Sequence, residues 1–199
     1  MYFAIWPSPS TWVATLATAF VVKAMDDAID RPRDDALGLF NWANQLGPSL
    51  TVYTIVIEAV AMVSNRNVAI SFLAGSYVVG MLSNMRDRMP SGLRGWQEAV
   101  LVGGLTLWWL QSRWHLVLGA AAIMFVIQLM DDALDRTTTI LWANTVWVRV
   151  YLIIVSTIAA GYLAPSLAVT GLLVWLGYTA IELAFRYNAG RRHIGDAHD

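Results

Sequence analysis

The chain has 199 residues, of which 57% are hydrophobic and only 14% are charged, and its formal net charge is −1. This composition is that of a polytopic membrane protein, because a soluble bundle would need charged helix faces that are missing from stretches such as 68–85. The lack of cysteine excludes disulfides, thiolate metal sites and cysteine nucleophiles. We therefore expect one all-α integral membrane domain over residues 1–199, with the lipid bilayer and no nucleic acid among its partners.

Long apolar runs recur along the chain, and each predicts a membrane-spanning helix. Seven spans are expected, at 11–30, 49–64, 68–85, 98–110, 115–135, 148–163 and 167–186. Pro32 should end the first of them, and 65–67 should form a tight turn between the second and third. Two short amphipathic stretches, 36–47 and 137–147, are too short to span and predict helices along the membrane interface.

The sequence also contains an internal repeat. Met-Asp-Asp-Ala-Ile-Asp at 25–30 returns as Met-Asp-Asp-Ala-Leu-Asp at 130–135, and Trp-Ala-Asn at 42–44 returns at 142–144. The two copies are about one hundred residues apart. The first three spans correspond to the last three, and the fourth span has no counterpart, so the repeat unit is four spans. An even number of spans predicts two parallel halves, residues 11–86 and 98–186, around a central acidic cavity, with both acidic motifs on the same membrane face.

Arginines indicate which face this is. Those expected on the motif side are Arg31, Arg33, Arg86, Arg88, Arg94, Arg136, Arg186, Arg191 and Arg192. Only Arg66 and Arg113 are expected on the opposite side. Because positive residues gather in the cytoplasm, we predict a cell-membrane protein with cytoplasmic motifs and C-terminus, and an outside N-terminus.

The acidic motifs carry the chemistry. In each copy the aspartates are three or four residues apart, so they project toward one side of a helix. The six candidate catalytic and metal-binding residues are Asp26, Asp27, Asp30, Asp131, Asp132 and Asp135, with Asp34 as a further metal ligand. Like charges this close need a cation or protons among them, so the pattern indicates a divided metal site or a proton relay. Oxygen ligands favour Mg²⁺, with Mn²⁺ as the alternative, and two facing clusters suit ions that clamp a diphosphate.

The first motif, Asp-Asp-Ala-Ile-Asp-Arg-Pro-Arg-Asp at 26–34, resembles the NDxxDxxxD motif of the UbiA superfamily of intramembrane prenyltransferases, with Asp26 in place of the asparagine. The second, Asp131 to Asp135, matches the DxxxD motif of that superfamily. The resemblance covers the helical plan of nearly the whole chain without the family's first and last helices, and at residue level it is confined to the motifs. It implies Mg²⁺-dependent ionisation of an allylic prenyl diphosphate and transfer of the prenyl group to an acceptor that the sequence does not identify.

Other activities begin from the same residues. A membrane terpene cyclase would start with the same ionisation, and a degenerate family member would bind an isoprenoid without catalysis. A divalent-cation or proton-coupled transporter is the alternative from a different class. Glu58, in the middle of an apolar span without an obvious partner, could line the cavity of either kind of protein.

Further residues are candidates for substrate binding. The basic ones are Lys23, Arg31, Arg33, Arg88, Arg94 and Arg136, which could meet the diphosphate. Lys23, one turn before Asp26 and Asp27, could instead offset their charge. Aromatic faces for an allylic carbocation could come from Trp42, Tyr53, Trp142 and Tyr151. Asn44 and Asn144 could bind substrate or connect the interfacial helices to the core. The alternative role of the aromatic residues is anchoring at the membrane interface and helix packing. The alternative for the arginines is that they only mark the cytoplasmic side of the membrane. Gln128 replaces Lys23 in the second copy, so the two half-sites are expected to differ.

Overall fold

The computed structural model describes residues 6–37, 41–81, 84–134 and 145–195. These ranges form seven α-helices and contain no strand, which confirms the predicted all-α class. The helices are α1 Pro9–Leu37, α2 Trp42–Leu46, α3 Leu50–Gly80, α4 Gly95–Trp109, α5 Trp114–Leu134, α6 Val146–Leu163 and α7 Pro165–Gly195. Single 3₁₀ turns, Gly47–Ser49 and Gln111–Arg113, lead into α3 and α5.

Three helical stretches are long and apolar enough to cross a membrane: Trp42–Gly80, Gln111–Asp131 and Val146–Leu163. Most of their apolar side chains are not covered by the rest of the chain; Val63 and Ile158, for example, are 88% and 67% exposed. A helix that shows such a surface needs an apolar surrounding, and a bilayer supplies one. The structure is therefore compatible with membrane localisation.

The helix α3 is divided by one residue. Asn65 has φ −156° and ψ 89° among helical neighbours, so α3 consists of two helices, 50–64 and 66–80. The Oδ1 atom of Asn65 accepts a hydrogen bond from the Val68 N–H at 3.4 Å and so caps the second helix. The turn expected at 65–67 is therefore present as a one-residue break, whereas the helix after it ends at Gly80 and not at residue 85.

A second break of the same kind separates α6 from α7, where Ala164 has φ −150° and ψ 71°. Gly119, near the start of α5, lies against Ala164, and Leu129, farther along α5, packs against Leu152 and Ile153 of α6. The helices α5 and α6 are therefore antiparallel.

The helix α7 runs along α5 in the same direction, because Gly171 lies beside Ile123 and Trp175 reaches Asp131. Since α6 opposes α5, α6 and α7 form a hairpin that turns at Ala164. In the first half of the chain, Thr11 approaches Asn65, and Thr18 faces Glu58. The helix α1 and the 50–64 half of α3 are therefore antiparallel too.

The core lies where α3 and α7 meet the two helices that carry the acidic motifs, since α1 and α5 each pack against both α3 and α7. Its buried residues are Ala14, Val68, Phe72, Ala120, Ile123, Val126, Ala160, Ala164, Leu167 and Ala168. Small residues bring the backbones close: a Cβ atom added to Gly75 would lie 3.0 Å from the backbone nitrogen of Ala121.

The prediction that Pro32 ends the first helix is wrong, because α1 continues through Pro32 to Leu37. A proline inside a helix removes one hydrogen bond and costs about 3 kcal/mol. Here the side-chain amide of Asn41 donates to the Asp27 carbonyl at 2.7 Å, next to the turn that the proline disturbs. Contacts from outside the helix therefore help to hold its last turns in place.

Other helix ends differ from expectation too. The helix α7 continues to Gly195, nine residues beyond the expected end at 186. Four helices begin two or three residues earlier than expected, namely α1 at Pro9, α4 at Gly95, α6 at Val146 and α7 at Pro165. The second amphipathic stretch was expected at 137–147. Most of it lies outside the described part of the chain, which does not include residues 135–144.

Candidate active site

The first acidic motif lies in the C-terminal half of α1, and its central residue, Asp27, is only 4% exposed. The buried face of α1 includes Thr18, Val21, Ala24 and Asp27, at the three-residue spacing of one helix face. The Oδ1 atom of Asp27 lies 3.0 Å from the Lys23 ammonium, and Oδ2 accepts a hydrogen bond at 2.7 Å from the backbone N–H of Trp42. Both carboxylate oxygens of Asp27 are thus already engaged by donors of this chain.

Asn41 connects α1 with α2. Its buried amide donates to the Asp27 carbonyl and, at 2.8 Å, to Oδ2 of Asp34, while its own Oδ1 accepts from the Asn44 N–H at 3.2 Å. Asn41 is therefore the N-cap of α2 as well as a link to the acidic motif. Sequence analysis missed it, although an asparagine directly before a short amphipathic helix is a recognised N-cap signal.

Arg31 and Asn44, both candidates for substrate binding, contact each other. The Arg31 Nε–H donates to Asn44 Oδ1 at 2.6 Å, and its guanidinium also reaches the Ala43 carbonyl at 3.3 Å. Asn44 in turn donates to the side chain of Asp35. In this arrangement Asn44 ties the short helix to α1, which is the alternative role that the sequence left open for it.

Asp26 and Asp30 differ from Asp27 in their surroundings. Asp26 is exposed and Asp30 is half-buried, and neither accepts a hydrogen bond from a described residue. They are four residues apart on a helix, so their carboxylates project to one side. Of the first motif, these two carboxylates are the ones open to an external ligand.

The second motif is described only in part. Oδ1 of Asp131 accepts a hydrogen bond at 2.8 Å from the indole Nε1–H of Trp175, a residue of α7. The remaining candidates of this half, namely the Asp132 side chain, Asp135, Arg136, Trp142 and Asn144, lie outside the described residues, as does the Arg33 side chain of the first half.

Three aromatic candidates have surroundings that can be described. Trp42 is half-buried and packs edge-on against Phe20, with ring centroids 6.0 Å apart. Tyr53 and Tyr151 are 49% and 66% exposed, which fits a surface turned toward lipid. The structure therefore brings Trp42, and neither tyrosine, to the acidic motif.

The loop after α3 holds two more candidates, Arg88 and Arg94. Both are exposed, and a backbone bridge pairs them. The base of this loop is fixed by Glu98, whose buried carboxylate accepts hydrogen bonds from Ser91 and Tyr77. Sequence analysis did not single out Glu98 or Tyr77, because their partners are brought together only by the fold.

In the described part of the chain, no three histidine, cysteine or acidic residues are close enough to hold a metal ion together. Mg²⁺, however, is usually bound through one or two carboxylates and completes its shell with water and substrate phosphates. Asp26 and Asp30 fit that mode of binding. Asp27 would first have to leave Lys23 and the Trp42 amide.

An apolar groove lies between α3, α4 and α5. Its volume is about 370 Å³, and small residues such as Gly75, Gly103, Gly104 and Ala121 contribute to its lining. The absence of large side chains at these positions leaves the space open.

Comparisons with known proteins add no further identification. No protein-family model, no curated protein and no solved structure matches the chain. The resemblance to intramembrane prenyltransferases therefore depends on the two acidic motifs and the helical plan.

Proposed function

We propose that this protein is a Mg²⁺- or Mn²⁺-dependent intramembrane prenyltransferase of the UbiA type, which ionises an allylic prenyl diphosphate and transfers the prenyl group to an acceptor. The observation that carries the proposal is the duplicated acidic motif in the C-terminal halves of α1 and α5. These two helices share the same packing neighbours, α3 and α7, so one core supports both motifs.

The proposal includes an arrangement in the membrane. Seven spans would form two parallel repeats, with 50–64 and 66–80 counted as separate spans, and the motifs would face the cytoplasm. The similar one-residue breaks at Asn65 and Ala164, 99 residues apart, support a repeated hairpin. The excess of arginine near the motifs supports their cytoplasmic side.

In the proposed reaction, Asp26 and Asp30 would hold a metal ion from the first half, and the aspartates of the second motif would hold its counterpart. Metal bound there would supply positive charge against the leaving diphosphate. Lys23 and the neighbouring arginines add to the positive charge around the same anion. The apolar helices exclude water from the allylic carbocation, which would otherwise be hydrolysed. Asp27 serves this site by fixing the end of α1 against α2 through Trp42.

Two outcomes belong to the same class of chemistry. With a separate acceptor the reaction is prenyl transfer, and with a double bond of the same chain as nucleophile it is terpene cyclisation. Both require the same ionisation, so the first measurement is release of diphosphate.

The test is diphosphate release from an allylic prenyl diphosphate by the purified protein in detergent or bilayers. We expect diphosphate release that needs Mg²⁺ or Mn²⁺. The rate should fall by at least about 100-fold in Asp26→Asn, because the metal ion that would balance the charge of the leaving diphosphate then loses a ligand. Asp87→Asn is the matched control, since it removes an equal charge from an exposed loop. A folded protein without metal-dependent release, with any acceptor or with none, would refute the proposal.

A proton-coupled transporter is the second candidate, and Glu58 is the observation that favours it. Ionisable groups in the middle of a membrane span are typical of carriers, and both Glu58 carboxylate oxygens are buried inside the protein. Sealed vesicles distinguish the two functions. Proton-driven flux with no diphosphate release would select the carrier.

A further inference from the structure

Glu58 and Thr18 form a polar pair inside the protein, apart from the acidic motifs. Glu58 lies in the 50–64 half of α3, and its side chain faces Thr18 of α1. Thr18 is fully buried, and both Glu58 oxygens are shielded from solvent. Among the described residues, neither side chain has a hydrogen-bond partner of normal geometry.

The surrounding helices offer no obvious counter-charge to Glu58. Along α1 no charged residue precedes Lys23, and Lys23 is paired with Asp27. In the 50–64 half of α3, Glu58 is the only charged residue, and Arg66 beyond the break is exposed.

The other helices that pack against α3 bring few titratable groups. The helix α4 has Glu98, which accepts hydrogen bonds from Ser91 and Tyr77. The helix α5 has His115 at its start and the acidic motif at its end, and the 3₁₀ turn Gly47–Ser49 has none.

An ionised carboxylate in this position would have lost its water and gained no counter-charge, only the Thr18 hydroxyl as a donor, which is a costly state for a buried acid. In water at pH 7 an ordinary glutamate is protonated in only about one molecule in 500. Burial without a counter-charge works against the ionised form, because only the neutral acid avoids the loss of solvation. The neutral acid also carries an O–H donor, and the Thr18 oxygen is an acceptor that faces it.

We propose that Glu58 and Thr18 are an intramembrane proton-binding site, in which the Glu58 carboxyl keeps its proton at neutral pH and donates it to Oγ1 of Thr18. The two side chains supply three oxygen atoms, and because these are shielded from solvent, water is not at hand to complete the six or more ligands of Mg²⁺ or Ca²⁺. The site is also separate from the acidic motif, because the nine residues from Thr18 to Asp27 span about 14 Å of helix. It does not depend on the proposed transferase activity.

Infrared spectroscopy of the protein in bilayers tests the protonation directly. We expect the carbonyl band of a protonated carboxylic acid at pH 7 in wild type and its loss in Glu58→Gln, a variant of nearly the same shape. Glu98→Gln is the matched control, because hydrogen bonds to Glu98 stabilise its ionised form, so this substitution should remove a carboxylate band instead. Loss of a carboxylate band in Glu58→Gln would overturn the proposal.

Thr18→Val tests the pairing. Valine keeps the shape of threonine and removes the acceptor, so the protonated-acid band should remain and shift to the higher frequency of a free carboxyl. The shift should be absent in Thr15→Val, since that hydroxyl bonds Thr170 on another helix. An unshifted band in Thr18→Val would show that Thr18 does not accept a hydrogen bond from the Glu58 carboxyl, and it would overturn the pair as proposed.

Discussion

The two acidic motifs have nearly the same sequence, yet the described contacts around them differ. In the first, Asp27 is bound by Lys23 one turn earlier on α1 and by the backbone of α2. In the second, Asp131 is bound by the indole of Trp175 from α7. Asp27 is thus bound by its own segment of chain, whereas Asp131 receives a hydrogen bond from a distant helix.

The two halves also differ in sequence at one position before the motifs. Lys23 has Gln128 as its counterpart in the second motif, so no lysine stands at i−4 from Asp132. Trp175 binds Asp131, whose counterpart in the first motif is Asp26, and Asp26 accepts no hydrogen bond from a described residue. A repeated sequence therefore does not give two equal half-sites, and we expect the first to be structurally more rigid and the second to depend on α7.

The largest expected effect is that of Lys23→Met, which keeps the apolar stem and removes the charge beside Asp27. Breaking a buried ion pair on one side costs about 3–5 kcal/mol, and since the Lys23 side chain is 32% exposed we expect a loss nearer 2–3 kcal/mol. The measurement is the free energy of unfolding in detergent.

The matched control is Gln128→Met in the second repeat, which removes no charge and should cost less than about 1 kcal/mol. The double variant Lys23→Met with Asp27→Asn should recover part of the loss, because no unpaired charge is then left buried. Equal stability of Lys23→Met and wild type would show that the ion pair does not hold the first motif.

The next effect is that of Trp175→Phe, which keeps an aromatic ring and removes the N–H donor to Asp131. A hydrogen bond to a charged acceptor contributes about 1.5–3 kcal/mol when buried, so we expect about 1–2 kcal/mol at this partly buried site. Trp109→Phe is the control, since Trp109 is 63% exposed and distant in sequence from either motif. If both substitutions cost the same, the indole of Trp175 contributes packing and no specific hydrogen bond.

The sequence predicted those features that depend on neighbours along the chain. Apolar runs gave the helices within a few residues at most ends, and the turn at 65–67 was visible as Asn-Arg-Asn. The pairing of Lys23 with Asp27 follows from a spacing of four residues on a helix.

Features that depend on tertiary contacts could not be predicted. The passage of α1 through Pro32 is supported by Asn41, fourteen residues from the Asp27 carbonyl that it binds, and Trp175 is 44 residues from Asp131. Each of these partners is distant in the chain and is brought near only by the packing of helices. Asn41 carries a local signal of its capping role but none of its bond to the Asp27 carbonyl, and Glu98 carries none of its bond to Tyr77.

The smallest expected effect concerns the two helical turns, which again differ between the halves. Asn65 caps the helix after its turn through the Val68 N–H, whereas Ala164 has no capping side chain and is buried against Gly119. Asn65→Ala should therefore lose about 0.5–1 kcal/mol of unfolding free energy, the usual contribution of an N-cap. Asn67→Ala, two residues along the same turn, is the control and should cost less. Hydrogen exchange of the Val68 amide should rise in Asn65→Ala alone; if it does not, the first turn depends on packing, as the second does, and the two halves are alike at this point.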